Sequence, residues 1–222
     1  MRNLVFIGAI ALALVFTGCL KEDNTPTQYS DIGTIVSSVS GVKIKTDNNK
    51  ILYSNYVPAS YDLVVGTRVI VYYSLVQEDP LAVSYNYLIA INDINNIKTK
   101  FVQIVNDVSR DTLVNNGLSL SSTWLSDNYL NVDFVFYGQS KVHFVNLVYD
   151  ILDQTEEGFV VLKLLHDSND DSYFTQYRGL ISFDLSNFSF EGTPPHKIKM
   201  KYKTYDGIIK EIIFEYAPPS EN

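Results

Sequence analysis

A single cysteine, Cys19, in 222 residues leaves no partner for an intrachain disulfide. The same scarcity excludes structural thiolate metal sites, which need several sulfurs. Histidine is almost as rare, with only His143, His166 and His196, and none of them lies at the i, i+4 spacing of a zinc-binding helix. Basic residues are outnumbered, 17 Lys and Arg against 25 Asp and Glu, for a formal charge of −8. A surface of that sign is repelled by phosphate backbones, and no basic patch with interleaved aromatics compensates, so nucleic acid is excluded as an expected partner. Sustained helical periodicity is also scarce.

What is present begins at the N-terminus. Arg2, an apolar run from Leu4 to Phe16, and then Thr17-Gly18-Cys19 form a basic start, a hydrophobic centre and small residues before a lone cysteine. That order is the signature of a cleaved secretory signal. It resembles the lipobox of bacterial lipoproteins, with Phe16 in the place where Leu is usual. The apolar run is short for a spanning helix. Cleavage before Cys19 leaves that residue N-terminal and available for acyl chains such as palmitate, a tether rather than a span. Loss of Arg2 with residues 1–18 takes the formal charge from −8 to −9. Lys21-Glu22-Asp23 then resembles the lysine-acidic-acidic signal by which Bacteroidetes export lipoproteins to the cell surface; as plain chemistry it is also a solvated charge cluster. Residues 19–30, with Thr25, Pro26, Thr27 and Gln28, read as a flexible tether.

Beyond it, 16 Tyr and 12 Phe with abundant Val and Ile favour strands, and alternating runs recur between turn signals. The expected fold class is all-β, a small OB-like barrel followed by an antiparallel β-sandwich. A first group of strands covers Ile32–Val39, Val42–Thr46, Ile51–Tyr53, Arg68–Leu75 and Tyr85–Ile94, with Thr99–Val105 closing it. Five or six short strands in such a span suit a closed barrel, because closure removes unpaired edges. The polar segment from Asn106 to Gly117 marks the boundary, so the barrel is expected over 31–106 and the sandwich over 107–217, with a tail at 218–222.

In the second group, Tyr129–Tyr137 and Lys141–Tyr149 read as a hairpin across Gly138-Gln139-Ser140. Gly158–His166 is expected to pair with Gly179–Leu185. Lys197–Thr204 and Ile208–Tyr216 flank Asp206-Gly207, a strong hairpin signal. The order Asp31-Ile32-Gly33-Thr34-Ile35-Val36, Tyr87 to Ile94, Asn128 to Phe134, Lys141 to Tyr149 and Arg178 to Leu185 resembles the NigD-like lipoproteins of Bacteroidetes over nearly the whole mature chain. The resemblance implies an OB-like N-terminal domain and a C-terminal β-sandwich. It carries over no catalytic motif, and fold alone supplies no function.

Chemistry is sparse. No Gly-x-Ser-x-Gly elbow is present, and the three histidines read as structural or surface residues, though a triad assembled by the fold leaves no sequence trace. Asp167-Ser168-Asn169-Asp170-Asp171 resembles the start of a calcium loop. An EF-hand needs Gly at the sixth place and Glu at the twelfth, where this chain has Ser172 and Arg178, so a solvated loop is expected. Glu156-Glu157 and Asp170-Asp171 read as acidic turns rather than a glycosidase pair. Lys197, Lys199, Lys201 and Lys203 alternate along one strand, either as protection of an edge strand or as a site for an anionic glycan. Tyr53, Tyr56, Tyr61 and Trp124 are candidate stacking rings. No catalytic residue, metal ligand or cofactor is assigned. The expected function is a non-enzymatic binding or scaffolding module on the outer membrane, lipid-anchored and facing the cell surface, with a glycan or another envelope protein as partner. The alternatives are a carbohydrate-processing accessory or hydrolase, and a factor in bacteriocin production or immunity.

Overall fold

A computed structural model describes residues 27–57, 61, 63–79, 81, 83–106, 110 and 113–219. The lipidation position Cys19 and the export triplet Lys21, Glu22 and Asp23 lie outside the described residues. Five strands build the first unit: β1 (Gln28–Ser37), β2 (Val42–Thr46), β3 (Ile51–Ser54), β4 (Arg68–Glu78) and β5 (Tyr87–Asn96). They form a closed barrel in the order β1-β2-β3-β5-β4. Alternation drives it: in β2, Val42, Ile44 and Thr46 point inward while Lys43 and Lys45 point out. The β2–β3 turn is held by the Asn49 amide donating to Thr46 O at 2.9 Å, with Asn49 at φ 59°, a conformation Asn tolerates. The barrel core joins Ile35, Val42, Ile44, Leu52, Val69, Val71, Tyr73, Ile89 and Ile94. Because β1 already begins at Gln28, paired with Ser74 of β4, the expected tether ends before residue 28 rather than at 30.

The second unit comprises β6 (Lys98–Phe101), β7 (Gln103–Val105), β8 (Ser119–Ser126), β9 (Tyr129–Gly138), β10 (Phe144–Asp150), a 3₁₀ turn at Ile151–Asp153, β11 (Val160–Asp167), β12 (Thr175–Asp184), β13 (His196–Lys203) and β14 (Ile209–Tyr216). One sheet runs β14-β13-β11-β10-β7 and the other β6-β12-β9-β8. Between them Leu130, Val132, Phe134, Leu147, Leu162, Leu164, Phe183, Ile198 and Met200 interdigitate as the core. A smaller cluster of Val105, Val148 and Leu165 lies outside it, packed against Leu113. The all-β barrel-plus-sandwich class therefore stands.

Several expected pairings do not. Thr99–Val105 does not close the barrel: β6 pairs in parallel with β12, and β7 in parallel with β10. The barrel is already closed by the parallel β3–β5 contact at Leu52↔Tyr87, so the chain leaving it meets free edges only on the sandwich sheets. The change of partner thus falls between Asn96 and Lys98, ahead of the polar segment at Asn106. Residues 139–143 do not join a hairpin, since β9 and β10 lie in opposite sheets. β11 pairs with β10 and β13, not with β12. The β13–β14 hairpin forms as expected, Lys203↔Ile209 being the innermost pair, with Gly207 at φ 84° in its turn. β13 is nevertheless interior rather than an edge, because β11 covers its other side. β8 was not anticipated at all; its Ser-rich sequence carries little strand signal and is drawn into the ladder by β9.

Candidate functional site

Three polar or open features stand out from the two cores. The first joins the units. Arg68, at the start of β4, is only 1% exposed. Its guanidinium donates Nη1 to Asp47 Oδ1 at 2.6 Å and Nη2 to Asp47 Oδ2 at 2.8 Å, a bidentate pair. Nη2 also reaches Asn131 Oδ1 on β9 at 2.8 Å, and Asn131 in turn accepts from Ser182 Oγ at 2.7 Å. The cation lies 4.8 Å from the Tyr129 ring centroid. Trp124 on β8 donates its indole N–H to Asp47 Oδ2 at 2.7 Å, and Lys45 meets Asp127 at 2.7 Å. Barrel residues thus hold sandwich residues through one buried charge pair whose fork geometry only arginine supplies.

The second lies where β9 turns toward β10 and β11 runs into the loop at 167–172. His143 Nδ1 and His166 Nε2 are 2.9 Å apart, their rings stacked with centroids at 5.1 Å. His166 Nδ1 sits 3.0 Å from the Gly117 carbonyl, and His143 Nε2 sits 3.3 Å from Asp171 Oδ2. A carbonyl cannot donate, so His166 carries hydrogen on Nδ1. A carboxylate at the far end asks for hydrogen on His143 Nε2. A hydrogen bond between His143 Nδ1 and His166 Nε2 links the two rings. Burial pushes the His166 imidazole below its usual range. Asp171 accepts the amides of Gln139, Lys141, Ser172 and Ser140, which hold its carboxyl well below the ordinary range. All four ring nitrogens are engaged by these partners. The cluster therefore fastens two loops and presents no free base. Asp171, one of the calcium-loop candidates, is used this way, and among the described residues no group of three or more His, Cys, Asp or Glu side chains is gathered to hold a metal.

The third is a cleft of about 700 Å³ at the opposite end of β10 and β11, lined by Tyr149, Gln154, Phe159, Asn187, Phe188 and His196 among others. Beside it, Asp150 braces the turn that leads to Gln154. Its buried carboxylate caps the 3₁₀ turn through the Leu152 amide at 3.1 Å and pairs with Arg110 Nε at 2.9 Å and Lys163 Nζ at 3.0 Å. Burial alone would raise that carboxyl, but Lys163, the Leu152 amide and Arg110 outweigh it and hold it low. Gln154 is fixed by bonds to Asp150 O, Val161 O and Val161 N, each 2.9 Å. Tyr149 and Phe188 meet edge to face at 5.0 Å, and Phe188 continues to Phe190 at 4.7 Å and Phe190 to His196 at 4.8 Å. The lining thus brings the rings of Tyr149, Phe159 and Phe188 together with the amide side chains of Gln154 and Asn187.

The stacking candidates read from sequence do not converge. Tyr53 donates to Ser40 O, Tyr61 to Asp93, and Trp124 is tied to Asp47. The lysine ladder is partly neutralised: Lys199 and Lys201 both grip Glu156 and both approach Glu211. Edge protection fails as its explanation, because β13 is covered on both sides. Glu156 is spent in those ion pairs. Neither Arg68 nor the Tyr149–Phe188 cleft was anticipated; the one available signal was an arginine directly preceding the apolar run Val69-Ile70-Val71.

Compared with known proteins, residues 100–216 match the NigD-like C-terminal β-sandwich domain. Solved structures of similar fold include a protein of unknown function from Bacteroides vulgatus at 25% identity and TM-score 0.71, covering 87% of this chain and 92% of that one. A NigD-like immunity protein from Bacteroides caccae shares 21% identity at TM-score 0.61, covering 87% and 98%. A Bacteroides fragilis protein provisionally named a lipoprotein shares 13% at TM-score 0.66, covering 87% and 100%. No curated protein matches.

Proposed function

The chain belongs to the family of the NigD-like C-terminal β-sandwich domain, and from that membership we propose that it is a lipid-anchored, non-enzymatic binding module of the bacterial envelope. The cleft at Tyr149 and Phe188 carries this reading. Its volume of about 700 Å³ lies within the range of small-molecule sites. Aromatic faces beside the exposed amide of Asn187 suit a sugar, which stacks its C–H face on a ring and hydrogen-bonds through its hydroxyls. The histidine cluster argues against catalysis, because its ring nitrogens are already saturated. Anchoring through Cys19 is supported by the leader sequence and by the name of the Bacteroides fragilis neighbour. Export through Lys21, Glu22 and Asp23 would bring the cleft to the cell exterior.

The test is an envelope-glycan array probed with the mature chain and with Phe188→Ala and Tyr149→Ala. Binding by the wild type that both variants lose is expected. No bound glycan, or binding indifferent to both substitutions, overturns the reading. Protease shaving of intact cells, with Lys21, Glu22 and Asp23 intact or all replaced by Ala, tests the exposed face: digestion of the wild type alone is expected. A second reading, bacteriocin immunity, is favoured only by the name of the Bacteroides caccae neighbour. A deletion strain that stays resistant to bacteriocin-producing neighbours would dismiss it.

A further inference from the structure

The barrel carries exposed apolar side chains at the end where β1 begins. β1 and β4 are antiparallel with Gln28 opposite Ser74, so Gln28, the first residue of β1, lies at the end of the barrel toward which β4 continues. β4 extends four residues past that point, from Ser74 to Glu78, about 13 Å at the usual strand rise. Up to Tyr73 the residues of β4 alternate between buried and partly buried, but from Leu75 onward both faces are exposed. Past Ser74, β4 has lost its cover from β1, while the facing residues Ile89, Leu88 and Tyr87 of β5 remain in the barrel wall beside β3. On it, Leu75 is 43% exposed, Val76 60%, Leu81 80% and Val83 83%. Four exposed apolar side chains on one hairpin are more than scattered surface residues require.

The length of chain beyond β1 identifies what covers them. Residues 19–27 number nine and span at most about 30 Å when extended, so a lipid on Cys19 keeps the membrane within that reach of Gln28. The hairpin tip lies at that same end of the barrel. Tyr29, stacked on Tyr73 at 5.7 Å, stands at its base with a ring suited to the headgroup level. We infer that the β4–β5 hairpin tip, through Leu75, Val76, Leu81 and Val83, inserts into the lipid surface to which the chain is anchored. This rests on the anchor at Cys19 and adds a second, orienting contact to it, since stable membrane association takes two signals better than one. Glu78 and Asp79 also sit on the tip, and Asp79 Oδ1 accepts the Leu81 amide at 3.0 Å. With the acidic body they favour uncharged zwitterionic headgroups over anionic ones.

The chain's only cysteine is the one acylated, so Val83→Cys creates a unique thiol for an environment-sensitive fluorophore. The acylated, labelled chain is reconstituted into phosphatidylcholine vesicles containing nitroxide-bearing lipid, with Lys210→Cys on β14 as the labelled reference. Blue-shifted emission and several-fold stronger quenching at residue 83 than at residue 210 are expected, reduced when phosphatidylglycerol is added. In a chain labelled at Val76→Cys, Leu81→Asp with Val83→Asp should abolish the quenching; both sites are exposed, so folding is not at stake. Vesicle flotation separates the two ideas. A chain that floats while the label at 83 stays as solvated as at 210 overturns the insertion and leaves the anchor standing. A chain that fails to float, as Cys19→Ser should, removes the anchor and the insertion together.

Discussion

In the barrel, β3 meets β5 and no strand is left with an open side, whereas the sandwich keeps four terminal strands, β14 and β7 in one sheet and β6 and β8 in the other. Two of those four, β6 and β7, are simply the chain on its way out of the barrel, separated by Val102 and delivered to opposite sheets. A closed unit has nothing to offer a passing segment, and an open one captures it. The contrast extends to polar groups. Both cores are apolar, while the charge pair Arg68–Asp47 sits at the seam and takes partners from each unit. All three histidines belong to the sandwich and none to the barrel. Each unit thus has its own hydrophobic reason to fold, and the seam decides whether they melt together.

Removing Arg68 should break the comparison most visibly. Arg68→Ala leaves Asp47 without its cation and takes one of two donors from Asn131 Oδ1, a loss of about 3–5 kcal/mol typical of breaking a buried pair. Guanidinium denaturation followed by circular dichroism and by Trp124 fluorescence should change from one transition to two. A single unshifted transition would mean that the seam contributes little. Core truncation sharpens the same contrast. Leu52→Ala in the barrel and Leu147→Ala in the sandwich should each cost about 2–5 kcal/mol, and in the Arg68→Ala background each should lower only its own unit's transition. Gly179→Ala comes next. A Cβ there would meet Phe134 Cζ at 2.6 Å, and overpacking of that kind costs about 1–3 kcal/mol, read as a fall in the thermal midpoint of the sandwich.

Acid should then separate the units by chemistry. His166 is held below its ordinary value by burial, so the unfolded chain takes up its proton first, and stability falls as pH drops from about 6.5 toward the folded value. Asp171 is displaced downward as well. Its contribution is present above the unfolded carboxylate range, near pH 4, and is lost below it as the folded group titrates. In the Arg68→Ala background, midpoints measured between pH 7 and 5 should decline for the sandwich more than for the barrel. His166→Asn should flatten the sandwich slope, and a slope unchanged by it would assign the acid sensitivity elsewhere. The smallest effect belongs to the ladder: Lys201→Met removes one of two cations on Glu156, and should cost no more than about 0.2–1 kcal/mol, reduced further by salt.

Strand positions were legible wherever alternation met a turn residue. Val42–Thr46 and Asp206-Gly207 were read correctly because both signals lie within a few neighbouring residues. β8 was not, since Ser119 to Ser126 reads as loop until β9 supplies a partner. The pairing of β11 with β12 failed for a different reason: two compatible alternating segments carry no mark of which sheet each joins. The lysines of β13 look like an edge in isolation, and only β11 on the strand's other side, with Glu156 and Glu211 against Lys199 and Lys201, shows an interior strand with half of its ladder paired. His143 and His166 were read as structural, which agrees with their saturated hydrogen bonding, yet nothing in the chain announced that Asp171 would join them across a gap of 28 residues.

By itself the sequence determined an all-β chain, a barrel-forming group ahead of a sandwich-forming one, and an N-terminal segment with the pattern of a lipid anchor. Each of these rests on period-two alternation, composition or a contiguous motif, which are local properties of a chain. Tertiary structure alone decided the partners: β6 and β7 divided between two sheets, Arg68 buried at the seam, two histidines hydrogen-bonded to each other, and a cleft walled by Tyr149 and Phe188. Those contacts join residues far apart in the chain, and their energy comes from burial and from satisfying polar groups that no neighbouring residue could satisfy.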